Sequence, residues 1–250
     1  MSSMLLLDRY SRQVAVIGKE GQEKLAKARV AVIGLGGLGS LISLYLAGAG
    51  VGELVLVDYD IVNLTDLHRQ LLYSERDVGR PKVEVAIEKL RSLNSTINIK
   101  PINEALTYEN VDSIISNVDV VIDALDNWLS RQILNESIVR LGKPLVHGAV
   151  NGWYGQVTTI IPGKTPCLYE IVQARSLPQC TGFCPVIGPV VGVVASIEVL
   201  EAIKLITGIG EPLMNRLLII DGKNWVIDEV TLSRVEDCPV CSRYLSSKKK

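Results

Sequence analysis

A glycine-rich segment, GLGGLG, constrains what this 250-residue chain can fold into more than any other feature. It follows the apolar run RVAVI and opens the segment Leu38–Ala47, whose composition predicts a buried helix. A strand, a glycine loop and a helix in that order are typical of a turn whose backbone N–H groups hold a phosphate. The sequence therefore predicts a nucleotide site at Gly34, Gly36, Gly37 and Gly39.

A carboxylate stands where the sugar of such a nucleotide needs one. Asp58 ends the next apolar run, ELVLVD, about 20 residues beyond the glycines, the spacing at which an acidic residue binds ribose hydroxyls. The alternative is a tight glycine turn and a strand-end carboxylate without a ligand. Strand, loop, helix and carboxylate occur together, which favours a nucleotide, although the loop alone suits NAD as well as ATP.

Short apolar runs alternate with helical patterns between residues 28 and 150. The runs predict buried parallel strands at Arg29–Ile33, Glu53–Val57, Asp119–Ile122 and Pro144–His147. The apolar spacing within Pro81–Leu93 predicts an amphipathic helix. This alternation predicts an α/β fold, a doubly wound Rossmann-like sheet with helices on both faces.

The second half of the chain changes character. Its predicted elements are a strand at 155–161, a long, partly mobile crossover loop at 163–189, a helix at 190–206, and strands at 216–220 and 225–232. We expect Glu198 and Glu201 on the polar side of that helix. Without a repeat or linker, residues 1–250 predict one domain: a nucleotide-binding core (28–150), the crossover, and a C-terminal β elaboration with a cysteine knuckle (190–245).

The charge balance argues against several partners. Lys plus Arg number 26 and Asp plus Glu 27, so no overall field attracts nucleic acid or an anionic membrane. The longest apolar stretch, Val186–Leu200, contains Ser196 and Glu198 and is too short for a membrane span. Five cysteines do not form a disulfide framework. We expect a cytoplasmic protein without nucleic-acid or membrane partners.

Three cations occur at places that suit phosphate chemistry: Arg12 in RYSRQ, Arg69 in LHRQ and Lys82 in GRPKVE. Hydride transfer needs no cations around a phosphate, whereas phosphoryl chemistry does. Lys82 follows Pro81 in the first turn of a predicted helix, where a cation opposes the helix dipole by about 0.3–1 kcal/mol. A ligand explains that position; the alternative is an ordinary exposed lysine.

Two carboxylates in DALDN follow the strand Asp119–Ile122. Carboxylates at the C-terminal edge of a parallel strand face the ligand crevice, so Asp123 or Asp126 is a candidate for holding Mg²⁺. The alternative is that Asp126 caps the helix that begins near Trp128.

Taken together, the chain resembles the MoeB/ThiF family, small relatives of ubiquitin-activating enzymes. The motifs that carry the resemblance are RYSRQ, VIGLGGLGS, LVDYD, NLTDLHRQLL, GRPKVE, ALDN, VIGPVVGVVASIEVLEAIK and CPVC. The resemblance implies an adenylyltransferase that uses ATP and Mg²⁺ to adenylate the C-terminal glycine carboxylate of a small ubiquitin-like or sulfur-carrier protein, with release of pyrophosphate. It also implies a homodimer.

The resemblance implies a role for each matching residue. They are Gly37, Arg69 and Lys82 at the phosphates, Asp58 at the ribose, Asp126 at Mg²⁺ with Asn127 beside it, and Arg12 reaching into the partner's site. One departure is Asp66, which stands where the family often has Asn. That carboxylate either is compensated by Mg²⁺ or Arg69, or points elsewhere.

The cysteines also depart from the family pattern of two CxxC pairs around zinc. Cys238 and Cys241 form one pair, but the first pair is Cys167 with Glu170. A Zn²⁺ site of Cys167, Glu170, Cys238 and Cys241 is predicted, although Cys180 or Cys184 could complete it. The alternative is that the cysteines are buried apolar residues without metal.

The crossover carries the remaining candidates. Cys180 matches, with a one-residue offset, a thiol that takes an acyl group or joins a persulfide relay; a structural or redox pair with Cys184 is the alternative. Val172, Leu177 and Phe183 are candidates to clasp a glycine tail, whereas His68 and His147 are expected to be structural or peripheral.

Three other functions compete with adenylation of a protein. An NAD-dependent oxidoreductase leaves the three cations without a role. An ATP-dependent dehydratase that modifies tRNA needs a basic face, which the charge balance does not support. A non-catalytic partner subunit would not need the nucleotide residues that this chain retains.

Overall fold

One eight-stranded sheet organises residues 8–173 and 185–245, the parts of the chain that the computed structural model describes. The strands are β1 Arg29–Ile33, β2 Glu53–Val57, β3 Asn98–Ile102, β4 Val120–Asp123, β5 Leu145–Asn151, β6 Tyr154–Ile160, β7 Arg216–Asp221 and β8 Val226–Thr231. The helices are α1 Ser11–Lys27, α2 Gly37–Ala49, α3 Lys82–Leu93, α4 Val111–Ile115, α5 Trp128–Leu141, α6 Leu168–Gln173, α7 Gly188–Thr207 and α8 Pro239–Leu245.

The strand order is β3-β2-β1-β4-β5-β6-β7-β8. Strands β1 to β5 pair in parallel, whereas β6, β7 and β8 pair antiparallel and extend the sheet at one side. The chain reverses its direction of winding between β1 and β4, where α/β sheets open a ligand crevice. The predicted doubly wound sheet with a C-terminal β elaboration is confirmed.

Alternation along the strands supplies two hydrophobic cores. In β1, Val30 and Val32 face a core made with α1, α2, α3 and α7, and Ala31 and Ile33 face a second core made with α4, α5, α6 and α8. Because both faces of β1 are covered, its sequence is continuously apolar. Helices on both faces leave the C-terminal edge of the parallel strands free for a site.

Two glutamates are not where the helix pattern predicted. Glu198 is fully buried and Glu201 is 1% exposed, so the predicted polar side of α7 lies inside the protein. Both oxygens of Glu201 have hydrogen-bond partners: Oε2 accepts from Thr159 Oγ1 at 2.5 Å and from the Leu213 N–H at 2.6 Å, and Oε1 accepts from Lys204 Nζ at 2.6 Å. Neither oxygen of Glu198 has a hydrogen-bond partner among the described residues.

The predicted crossover at 163–189 is partly helical, since α6 forms within it and packs in the second core. Val172 packs partly buried against that core. Cys180, Cys184, Leu177 and Phe183 lie outside the described residues. Over the two described stretches, no helix combines the length and apolar character needed to cross a bilayer.

Candidate functional site

The glycine loop runs from the end of β1 into the start of α2. Gly34 has φ 97°, a left-handed conformation that favours glycine, and a Cβ there would lie 2.6 Å from the Ala124 carbonyl oxygen. A Cβ on Gly39 would overlap the Gly34 carbonyl oxygen. Both glycines therefore permit close backbone packing, and α2 begins at Gly37 with its N-terminus at this loop.

Asp58 lies directly against the loop. Its carboxylate accepts hydrogen bonds from the Leu35 N–H at 2.6 Å and the Asp60 N–H at 2.8 Å. Burial raises the pKa of Asp58 above its ordinary value, although these N–H groups and Lys82 oppose that shift. The carboxylate thus sits beside the phosphate loop at the end of β2, as the sequence predicted.

Lys82 and Arg69 bring positive charge to the same edge. Lys82 is only 4% exposed, which excludes the alternative of an ordinary surface lysine, and its Nζ lies 3.2 Å from Asp60 Oδ2. The Arg69 side chain lies beside Gly37, where an added Cβ would be 3.6 Å from its Cγ. A guanidinium therefore lies beside the glycine loop, and a buried ammonium lies near it on the same edge of the sheet.

Asp66 holds these two cations. It is 7% exposed, and its two oxygens lie 3.2 Å from Arg69 Nη2 and 3.9 Å from Lys82 Nζ. It also accepts from the Asn63 N–H at 3.1 Å, which closes the one-turn 3₁₀ helix Leu64–Asp66. The departure from the family pattern thus places a carboxylate between the two cations.

Asp126 is exposed and does not cap α5. The cap is Asn127, whose side chain accepts from the Ser130 N–H at 2.9 Å. The Asn127 amide also lies 3.3 Å from Asp126 Oδ1. The capping alternative for Asp126 is therefore wrong, and the Asn127 amide is a neighbour of its carboxylate.

Asp123 does not face the crevice, contrary to the prediction. It is fully buried, 2.7 Å from His147 Nδ1 and 3.2 Å from Arg131 Nε. Burial alone would raise the pKa of Asp123, but Arg131 and His147 hold it below its ordinary value. Burial lowers the pKa of His147, which supports the expected structural role of that histidine.

Two residues at this edge, Arg131 and Gln70, were not predicted from the sequence. Arg131 occupies a position in α5 that the sequence pattern does not distinguish from an ordinary exposed polar position. Its role is seen only from its contacts with Asp123 and the loop 124–127. Gln70 is 2% exposed, and its Oε1 has no hydrogen-bond partner among the described residues. Its Nε2 would lie 3.8 Å from a Cβ on Gly36, so Gln70 lies against the glycine loop.

Arg12 lies at the opposite end of α2 from the phosphate loop. The neighbouring Gln13 donates to the Ala49 carbonyl at 2.9 Å, and Ala49 is the last residue of α2. A helix of that length spans about 20 Å. Arg12 is exposed there and stands away from the glycines of its own chain.

An apolar groove of about 740 Å³ adjoins the loop that carries His68 and Arg69. Its lining residues come from α2, that loop and α7: Leu41, Tyr45, His68, Leu71, Val193 and Ile197. Tyr45 and Leu71 are 55% and 65% exposed. Large apolar side chains that line an open groove beside a site mark a contact surface.

The predicted metal ligands meet between α6 and α8. Candidate ligand atoms of Cys167, Glu170, Cys238 and Cys241 all lie within 4.8 Å of one another, and all four residues are buried. Cys167 Sγ is 3.7 Å from Cys238 Sγ, and Cys241 Sγ is 3.3 Å from Glu170 Oε2. The hydrogen bond from Cys241 lowers the pKa of Cys167 to about 7 and raises the pKa of Cys241 well above its ordinary value, so without a metal the thiolate of this pair lies on Cys167.

Fold and site together define a Rossmann-type nucleotide-binding protein with cations placed for phosphate chemistry. The ThiF family profile matches residues 10–240, and the chain belongs to the ThiF family. The predicted family is confirmed.

Relatives of named activity agree with that membership. The chain is 41% identical to the sulfur carrier protein ThiS adenylyltransferase of Escherichia coli, over 93% of this chain and 94% of that protein. It is 41% identical to the SAMP-activating enzyme E1 of Haloferax volcanii, over 94% of this chain and 88% of that one. A structure of E. coli MccB with ATP superposes with a TM-score of 0.81 and 28% identity, covering 93% of this chain and 74% of that one.

Proposed function

We propose that this protein uses ATP to adenylate the C-terminal glycine carboxylate of a small ubiquitin-like or sulfur-carrier protein. The observation that carries the proposal is the pairing of a glycine loop with two cations, Lys82 and Arg69, that each contact a side-chain carboxylate. Such partners are replaceable by phosphate oxygens, whereas an NAD site has no use for the cations. The relatives named above are adenylyltransferases or activating enzymes, which supports the same class.

The reaction needs positioning and charge stabilisation more than proton transfer. One carboxylate oxygen of the glycine attacks the α-phosphorus, a bond to that oxygen forms, and the bond to the β-phosphate oxygen breaks to release pyrophosphate. The attacking carboxylate is already ionised at neutral pH, so no general base is required. Lys82 and Arg69 would stabilise the negative charge that develops on the phosphate oxygens.

Magnesium suits Asp126. Its exposed carboxylate has the Asn127 amide as a neighbour and retains lone pairs for a hard cation. At Asp126, Mg²⁺ would supply positive charge that offsets the negative charge of the nucleotide phosphates. Asp58 would bind the ribose in exchange for one of the two N–H groups that it now accepts.

We further propose a homodimer in which Arg12 serves the partner's site. The position of Arg12 at the far end of α2 supports this, because that cation is too distant to serve its own phosphate loop. The apolar groove beside the site offers the second copy a surface to cover. Mixing inactive Arg12→Ala and Lys82→Ala proteins should then restore about a quarter of the activity, because half of the dimers are mixed and each has one intact site.

We propose Zn²⁺ at the Cys167, Glu170, Cys238 and Cys241 site. Tetrahedral zinc with bonds of about 2.3 Å to sulfur separates two sulfurs by about 3.8 Å. The Cys167–Cys238 separation of 3.7 Å is close to that value. Zinc there would join α6 to α8 and would take no part in the reaction.

ATP–pyrophosphate exchange tests the central proposal. Small β-grasp proteins from the same organism are added one at a time, each with and without its terminal glycines. Exchange that needs both the partner and its Gly-Gly end supports the proposal and names the substrate. ATP binding without exchange for any partner contradicts it and favours a nucleic-acid or small-molecule carboxylate.

A further inference from the structure

Arg131 joins three parts of the protein beneath the loop 124–127 that carries Asp126. Its side chain is 16% exposed, and its Nε lies 3.2 Å from the buried Asp123. Its Nη2 donates to the Leu125 carbonyl at 2.5 Å and to the Gly148 carbonyl at 3.1 Å. One guanidinium therefore ties the end of β4, the loop and β5 together.

The loop is held on both sides of one residue. The Leu125 N–H donates to Asp123 Oδ1 at 3.0 Å, while the Leu125 carbonyl accepts from Arg131. His147 fixes the other oxygen of Asp123, since its Nδ1 lies 2.7 Å away. Both peptide groups of Leu125 are thus fixed by the side chains of Asp123 and Arg131, immediately before Asp126.

Asp126 itself has little to hold it. It is exposed, and its side chain contacts the Asn127 amide at 3.3 Å. The direction of its carboxylate therefore depends on the backbone that precedes it. We propose that Arg131 is a positioning residue, which fixes the Leu125 peptide so that Asp126 presents its carboxylate to the magnesium ion of the nucleotide. This inference rests on the proposed function for the identity of that ion.

The test compares Arg131→Met and Arg131→Lys with Arg140→Met. Arg140 lies on the same helix and pairs with Asp112, its Nε 3.0 Å from Oδ2, so its loss removes an ion pair without touching the loop. Two quantities are measured: amide hydrogen exchange over 124–127 without ligand, and the Mg²⁺ concentration that gives half-maximal ATP binding.

We expect Arg131→Met to lose protection over 124–127 and to need about 10-fold more Mg²⁺, the lower end of the effect of residues that orient a metal ligand. Arg131→Lys should recover part of the hydrogen-exchange protection and part of the Mg²⁺ affinity. Arg140→Met should match the wild type in both measurements. Unchanged protection and Mg²⁺ requirement in folded Arg131→Met would overturn the proposal.

If Arg131→Met does not fold because Asp123 is left as an unpaired buried charge, the double variant Asp123→Asn/Arg131→Gln removes both charges, and the same two results are expected. Failure of the proposed function is seen separately. A wild-type protein without partner-dependent pyrophosphate exchange contradicts adenylation, while hydrogen exchange still decides the role of Arg131.

Discussion

Two regions of this molecule gather buried ionisable side chains, and they hold them differently. At the edge of the sheet that carries the glycine loop, which we call the nucleotide edge, Lys82 contacts the carboxylate of Asp60 and Arg69 that of Asp66. At the cysteine knuckle, Glu170 accepts from the backbone N–H groups of Cys167 and Val235, each at 2.7 Å. At the nucleotide edge, phosphate oxygens of a ligand can replace the carboxylates as partners of the two cations. At the knuckle, the hydrogen bonds of Glu170 join two distant chain segments, so their loss weakens the fold. Burial alone therefore does not distinguish a functional charged group from a structural one; the type of hydrogen-bond partner, side-chain carboxylate or backbone N–H, distinguishes them here.

The largest effect should follow from removing a cation at the nucleotide edge. Lys82→Ala is expected to lower pyrophosphate exchange by about 10²–10³-fold, the usual cost of losing one charge-stabilising group. Its melting temperature should change little, because Asp66 keeps Arg69 as a partner. Lys89→Ala, on the same helix and paired with the remote Asp77, is the matched control and should keep full exchange. Equal losses of pyrophosphate exchange in Lys82→Ala and Lys89→Ala would contradict a specific role for the cations at the nucleotide edge.

Gly39→Ala should abolish nucleotide binding by distorting the phosphate loop. Its new Cβ would overlap the Gly34 carbonyl oxygen, so the backbone must move, at a cost of about 1–3 kcal/mol in the free energy of unfolding. Gly48→Ala, in the same helix with no atom within 4 Å of the new Cβ, should instead stabilise by about 0.5–1 kcal/mol. Calorimetric ATP titration and thermal unfolding measure both, and retained binding in Gly39→Ala contradicts this account of the loop.

A substitution in the cysteine knuckle, which is formed by Cys167, Glu170, Cys238 and Cys241, should lower the stability of the protein. Glu170→Gln keeps an acceptor for only one of the two backbone N–H groups and turns an amide NH₂ towards the other, so we expect the free energy of unfolding to fall by about 1–3 kcal/mol. Zinc content should fall as well, whereas ATP affinity should not change. Exposed Glu236, in the loop before Cys238, gives the control Glu236→Gln. Lost ATP affinity at unchanged stability would show that the knuckle acts on the nucleotide site.

The smallest effect should come from Glu198, which belongs to neither region. Burial raises the pKa of Glu198 well above its ordinary value, and both oxygens lack partners, so Glu198→Met should stabilise by about 1–2 kcal/mol at pH 7. As pH rises above about 4.3, the unfolded state ionises first and the wild type loses stability. The advantage of the variant should therefore shrink towards pH 4. Denaturant titrations at both pH values measure it, and a constant advantage contradicts the shift.

Sequence predicted the parallel strands and the glycine loop because burial on both faces leaves a continuous apolar pattern. β1 and β2 begin and end at the predicted residues. β3, sequence NIKPI, was missed because only Ile99 is buried in it. The family resemblance implied the four residues of the knuckle, since CPVC and Cys167 with Glu170 three residues later match its two ligand pairs, and the structure brings them together.

Residues whose role depends on a contact distant in sequence were the ones that sequence could not predict. β4 includes Asp123, so strand alternation turns that side chain inward instead of towards the crevice. Arg131 and the buried Glu198 look like ordinary polar positions of amphipathic helices, and only packing against β5 distinguishes them. Tertiary packing decided these three positions.

The most direct test of the account is the intact mass of the partner protein after one turnover with ATP. Adenylation predicts that the partner with an intact Gly-Gly end gains one AMP group, that pyrophosphate appears in equal amount, and that Lys82→Ala forms neither. An unmodified partner together with ADP and inorganic phosphate would show hydrolysis of ATP at the γ-phosphate and would contradict the proposed reaction.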